Sequence, residues 1–328
     1  MLKFCLFLWV IFGFVLAPLP PADVPQAEIS NGLIRAKLYL PDPKKGYYQG
    51  TRFDWSGVIY SLEYKGHEYF GQWFDQYDPK IHDAITGPVE EFVPIGYDEG
   101  QVGDPFLKIG VGVLRKPEEE SYRFSRLYEV VEPGTWKSRK KADRVEFTHE
   151  LKGPDGYAYL YKKTVRLVKG KPELVLEHTL QNTGKKRIST TAYNHNFFVI
   201  DQAPTGPDIR TRFAYDVEAE GQGFGTLAEV RDRQLIYLRE LQKGENIYTP
   251  GIRGFGPTAK DYHLDIQNLK TGAGVKITSD QPLDKLVFWA SSRTSCPEPY
   301  IQVQAAPGEE FSWQITYAFY TGPAAAAQ

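Results

Sequence analysis

The chain has 328 residues, a formal charge of -2, and 14% aromatic side chains, among them 21 Tyr, 19 Phe and 6 Trp against a single Met. This balance supplies no positive field for holding a phosphate backbone, which argues against nucleic acid as a partner. The aromatic content favours strands and suits sugar recognition by ring stacking, and the length allows one large domain, since all-β domains commonly run to about 200–250 residues.

Lys3 followed by the apolar residues 4–16 and then Ala-Pro-Leu-Pro-Pro-Ala at 17–22 reads as a secretory signal, cleaved near Ala22 or Ala27. The apolar run is short for a membrane span, so an uncleaved anchor is the alternative and a periplasmic or extracellular destination is expected. Removing residues 1–22 takes Cys5 with it and leaves Cys296 alone, which excludes an intrachain disulfide.

Residues 28–40 begin the ordered part: Ile34, Ala36, Leu38 and Leu40 share one face while Arg35, Lys37 and Tyr39 share the other, a strand pattern. Residues 58–64 and 67–70 flank Lys65-Gly66 and predict a two-residue hairpin. Residues 144–151 and 157–168 repeat the pattern around Gly153-Pro154-Asp155-Gly156, and another hairpin is expected at 169–172. In residues 173–181, Leu174, Leu176, His178 and Leu180 fall on one face, so His178 reads as structural. Asn182-Thr183-Gly184-Lys185 turns the chain into Ile188-Ser189-Thr190-Thr191-Ala192 and then Tyr193-Asn194-His195-Asn196-Phe197-Phe198. Residues 227–241 alone look capable of helix, although 234–238 also read as a strand. Residues 274–279 with 286–290 are expected to pair, and 300–304 with 311–320 to form a closing hairpin around Pro307-Gly308-Glu309-Glu310. Frequent turn signals without helical blocks predict an all-β fold, a large antiparallel sandwich forming a single domain over residues 28–322 with a tail at 323–328.

The chain lacks a phosphate-cradling Gly loop, a Cys pair at metal spacing, a His-Glu-x-x-His and a Gly-x-Ser-x-Gly elbow, leaving acid/base chemistry. Its candidates are His195, His82, His263, Asp261, Asp265 and Glu298, with Arg52 as a hydrogen-bond donor. Pro297 and Pro299 flank Glu298 and hold it extended, as suits a general base. His82, Asp83, Glu90 and Glu91 lack recognised ligand spacing, so no metal and no cofactor is expected.

The run from Arg166-Leu167 to Asn182-Thr183-Gly184, followed by Asn194-His195-Asn196-Phe197-Phe198, resembles the centre of the aldose 1-epimerase (galactose mutarotase-like) superfamily, with Phe197 where that family often has Tyr. Cys296-Pro297-Glu298-Pro299 ahead of Pro307-Gly308-Glu309 is similar to the family's Glu-Pro site, and Gly50-Thr51-Arg52-Phe53 to its sugar-binding Arg segment. The resemblance covers residues 28–320 and implies a β-supersandwich with a hexose cleft. It implies Glu298 as general base, His195 as general acid, and Arg52, Asn194, His82 and Asp261 as substrate-binding residues. The expected partner is a small-molecule sugar or glycan and the expected assembly a monomer or homodimer. Two rival readings share the fold: a carbohydrate-binding module without turnover, and a lyase or hydrolase using Glu90, Glu91 or Asp261 as a second carboxylate.

Overall fold

A computed structural model describes residues 23–322. The signal assigned to residues 1–22 and the tail at 323–328 therefore lie outside the described residues. The first strand is Gln26–Ser30 and buries Ala27, so cleavage near Ala27 would fall inside it, whereas cleavage near Ala22 would leave it whole.

Strands build four sheets, and the pairings between them are antiparallel. Two sheets form the sandwich. The ten-stranded layer runs, in spatial order, Ala228–Arg231, Gln234–Tyr237, Ile209–Phe213, His263–Asn268, Ala273–Ser279, Glu310–Thr321, Glu173–Asn182, Ala158–Leu167, Arg144–Lys152 and Thr135–Lys140. The five-stranded layer runs Asn246–Thr249, Lys285–Ser291, Thr294–Ala305, Ile188–Phe197 and Gly87–Phe92. Leu174, Leu176 and Phe319 of the first layer share one apolar cluster with Ala192, Leu286 and Val303 of the second. Two smaller sheets flank them: Gln26–Ser30 with Ile34–Tyr39, Val58–Tyr64 and His67–Glu68, and Pro105–Lys108 with Gly112–Arg115 and Glu129–Glu132. No helix among the described residues is long and apolar enough to cross a membrane.

The period-2 patterns translate directly into these strands. Lys65 and Gly66 both take positive φ, 51° and 80°, as a two-residue hairpin turn demands. His178 points inward with Leu174, Leu176 and Leu180, as its parity required.

Three expectations are corrected. Residues 227–241 are not helical: they form the hairpin Ala228–Arg231 and Gln234–Tyr237, with Asp232 at φ 52° in the turn. Ala273–Ser279 does not pair with Lys285–Ser291, because the two lie in different layers. Thr294–Ala305 and Glu310–Thr321 likewise form an arch: the turn at Gly308 carries the chain from the five-stranded layer to the ten-stranded one. A hydrophobic alternation reports where a strand lies and which face it buries. Whether the next strand returns beside it or crosses to the facing layer is decided by distant partners.

Candidate active site

The site grows from the strand Ile188–Phe197, which pairs with Gly87–Phe92 on one side and Thr294–Ala305 on the other. Strand alternation sends Tyr193, His195 and Phe197 to an outer cavity, while Asn194 and Asn196 face the sandwich interior. The backbone ladder to Thr294–Ala305 stops at Tyr193↔Tyr300 and resumes only as the isolated bridge Phe198↔Ser295. Pro297 and Pro299 cause the gap, since neither has an N–H to give. Asn196 spans it, donating through Nδ2 to the Pro297 carbonyl at 2.8 Å while its Oδ1 accepts from the Tyr317 hydroxyl at 2.8 Å. Across this parted ladder stand His195 and Glu298, with Nε2 and Oε1 3.3 Å apart.

Both groups are buried, and burial dominates their titration. It pushes the Glu298 carboxyl up to about 8, opposed by Arg52 and Lys285 and reinforced by Glu91. It holds the His195 imidazole well below its usual range, with the Arg52 charge adding to the effect. The pair therefore rests near neutral pH as a carboxylic acid beside an uncharged imidazole. The His195 ring is fixed by stacking on Phe197 at 3.9 Å between centroids and by an edge contact with Phe53. Among the described residues its buried Nδ1 has no hydrogen-bond partner, so none of them fixes the tautomer.

Arg52 forms the adjoining wall. Its Nε donates to Glu91 Oε2 at 2.7 Å, its Nη2 to the Tyr193 hydroxyl at 3.1 Å, and its guanidinium lies 4.4 Å and 4.2 Å from the ring centroids of Phe53 and Phe124. Glu91 also accepts from buried Lys108 at 2.9 Å and from the Tyr193 hydroxyl at 2.5 Å. Burial alone would raise the Glu91 carboxyl, but Lys108 and Arg52 hold it below its ordinary value. Glu91 is thus an ionised anchor that orients Arg52 rather than a group facing the cavity.

The cavity has a volume of about 390 Å³. Trp73, Phe124, Tyr193, Trp289 and Tyr300 supply aromatic walls, and Arg52, His82, Asp83 and Lys285 join His195 and Glu298 as polar groups. Aromatic faces with a few placed donors and acceptors are the usual make-up of a small-molecule site.

Of the residues expected to bind substrate, Arg52 and His82 line the cavity together with His195 and Glu298. Asn194 does not: as the neighbour of His195 in an extended strand it must point the other way, and its Nδ2 donates to buried Glu90 at 3.0 Å. Asp261 also stands apart, in a short turn where it accepts from the Thr258 hydroxyl at 2.8 Å. His263 and Asp265 belong to a strand of the ten-stranded layer and do not line the cavity, and Asp265 accepts from Tyr320 there.

The carboxylates considered for a hydrolase are likewise committed elsewhere. Glu90 is paired with Lys163 and His178 between the two layers, Glu91 with Arg52 and Lys108. This separates both from His82 and Asp83, and among the described residues no group of three or more His, Cys, Asp or Glu could hold a metal ion. Lys108, Tyr193, Trp73, Trp289 and Tyr300 were not anticipated, nor was the role of Glu91 as the partner of Arg52. Parity alone could have found Tyr193 from His195 and Tyr300 from Glu298, each two residues away on the same strand face.

No protein-family model matches the chain, and no curated protein matches it in sequence. Solved structures do match in shape. A galactose mutarotase-like protein from Clostridium acetobutylicum aligns over 92% of this chain and 100% of its own, at 13% identity and a TM-score of 0.55. An aldose epimerase homologue from C. elegans aligns over 91% and 99%, at 14% identity and 0.54. A galactose mutarotase-like protein from Lactobacillus casei aligns over 90% and 100%, at 12% identity and 0.53.

Proposed function

From the galactose mutarotase-like fold that the chain shares with these structures, we propose that the protein is an aldose 1-epimerase-like isomerase, interconverting the anomers of a sugar through acid/base ring opening and closure. The observation that carries this reading is the pair His195 Nε2 and Glu298 Oε1, 3.3 Å apart on the wall of an aromatic cavity. Mutarotation needs one group to take the anomeric hydroxyl proton and another to protonate the ring oxygen, with no cofactor in either step.

One mobile proton serves both residues. With that proton on His195, Glu298 accepts the proton of the C1 hydroxyl while His195 donates to the ring oxygen, and the bond from C1 to the ring oxygen breaks. The open aldehyde then faces a protonated Glu298 and a neutral His195, the charge state that burial favours. Rotation about the bond from C1 to C2 presents the other carbonyl face. Reclosure returns the Glu298 proton to the carbonyl oxygen and the hydroxyl proton to His195, which balances every atom. Arg52, oriented by Glu91, donates to sugar hydroxyls at the rim.

Following optical rotation of freshly dissolved α-glucose and α-galactose tests the reading. Acceleration over buffer that disappears in Glu298→Gln supports it, and no acceleration with any aldose rejects it. A sugar-binding module without turnover is the rival, favoured by the raised pKa of Glu298, because a carboxyl that keeps its proton is a poor base. Saturable binding with unchanged anomer exchange would identify that module. The same proposal includes export: the mass of the mature protein recovered outside the cytoplasm would show whether residues 1–22 are removed.

A further inference from the structure

A second cavity, of about 730 Å³, adjoins the first. Trp73 lines both. The strand Lys285–Ser291 connects them as well: its alternate residues Lys285, Val287 and Trp289 line the first cavity, and Ser291, next on the same face, lines the second. At about 3.3 Å per residue, the four positions from Val287 to Ser291 run about 13 Å, longer than one pyranose ring. The two cavities, which share Trp73 as a wall, together offer more room than a single hexose can fill.

The far end of the second cavity carries exposed hydrogen-bonding groups. Asp75 bridges Lys243 at 2.6 Å and Arg293 at 2.8 Å. Gln202 forms another part of the wall and follows Asp201 in a pair of consecutive non-glycine residues with positive φ, 57° and 56°. Left-handed backbone at two adjacent side-chain-bearing residues is costly and persists only when the surroundings impose it. Here they do: the Asp201 carboxylate accepts from the Glu68 N–H at 3.1 Å and pairs with His67 Nδ1 at 2.9 Å. The side chain of Gln202 packs over Gly71, where a Cβ would lie 2.8 Å from Nε2.

We propose that the substrate is a reducing oligosaccharide of at least two rings, with the reducing-end ring against His195 and Glu298 and the next ring beyond Trp73, near Asp75, Gln202 and Arg293. This rests on the anomer-exchange reading and adds the chain length of the substrate. Exchange between anomers is measured by proton NMR for glucose and galactose and for reducing disaccharides spanning α and β linkages at the 3, 4 and 6 positions. At least one disaccharide is expected to show kcat/KM tenfold or more above its reducing-end monosaccharide. Gln202→Ala and Arg293→Ala, both at exposed positions, should lower that value severalfold and leave the monosaccharide unchanged. Equal kcat/KM for one ring and two, or variants that alter both substrates alike, overturns the proposal while the isomerase reading stands. If no sugar exchanges faster than in buffer, the isomerase reading fails, and binding titrations of the same sugars decide this one: tighter saturation by a disaccharide upholds it, equal binding of one ring and two overturns it.

Discussion

Glu90 and Glu91, neighbours in one strand, serve opposite sides of the same sheet: Glu90 pairs with Lys163 and His178 between the two layers, and Glu91 with Arg52 and Lys108 beside the cavity. His195 hangs on the strand next to them, so the candidate acid/base site and layer packing share one ladder. The two roles can be separated by substitution.

Replacing Glu298 with Gln removes the base and keeps the shape of the side chain. Anomer exchange should fall by about 10²–10⁴, the usual share of one positioned acid or base, with an unchanged circular dichroism spectrum. Retention of full activity in polarimetry would assign the chemistry to other groups.

The pH profile should follow the single proton shared by the pair. With His195 held well below its ordinary 6.5 and Glu298 raised to about 8, kcat/KM should form a plateau whose acid limb lies below the usual imidazole range and whose alkaline limb falls near 8. A profile centred on an ordinary carboxylate and an ordinary imidazole would contradict the burial argument.

Stability carries the same signature. The folded Glu298 binds its proton more tightly than the unfolded chain, whose carboxyl titrates near 4.5, so its contribution is fully present below that value and is lost as pH rises through about 8. Thermal melts of the parent and Glu298→Gln should therefore diverge, the parent losing ground between pH 5 and pH 9. His195 acts in the opposite sense: its depressed value contributes stability above 6.5 that is lost as pH falls through the folded value.

Glu91→Ala strips the counter-charge from buried Lys108 and Arg52. Removing one partner of a buried ion pair costs about 3–5 kcal/mol, and the released Arg52 should also raise KM. Denaturant unfolding with sugar kinetics on the surviving folded protein measures both, and a neutral effect on either would refute the anchoring role.

Asn194→Ala makes the contrast. It removes a hydrogen bond to a buried charge, worth about 1.5–3 kcal/mol, in the interior and away from the cavity. The melting temperature should fall while KM stays within twofold, and a large rise in KM would return Asn194 to the sugar site.

Much of this was legible in the sequence because it rests on local rules. Alternation along residues 173–181 fixed the inward face of His178, and the prolines around Glu298 showed that its backbone is held extended. The position of Asn194 was legible too, since adjacent strand residues cannot share a face, yet the motif drew it to His195. Glu91 was hidden for another reason: its partners Arg52, Lys108 and Tyr193 lie 39, 17 and 102 residues away, and only the completed sheets bring them together. The expected pairings of 274–279 with 286–290 and of 300–304 with 311–320 failed the same way, because a turn signal does not name its layer.

The back-to-back carboxylates also set a rule for how the gene can change. Gly87 opens their strand at φ 76°, with the Ile59 carbonyl 2.3 Å from where a Cβ would stand, so the start of the strand is pinned. Deleting or inserting one codon between Gly87 and Glu90 would shift the register by one and exchange the faces of everything downstream. The carboxylate that orients Arg52 would then be turned into the core, and the one that neutralises Lys163 would be turned out of it. Homologous chains should accordingly keep the length of this stretch constant.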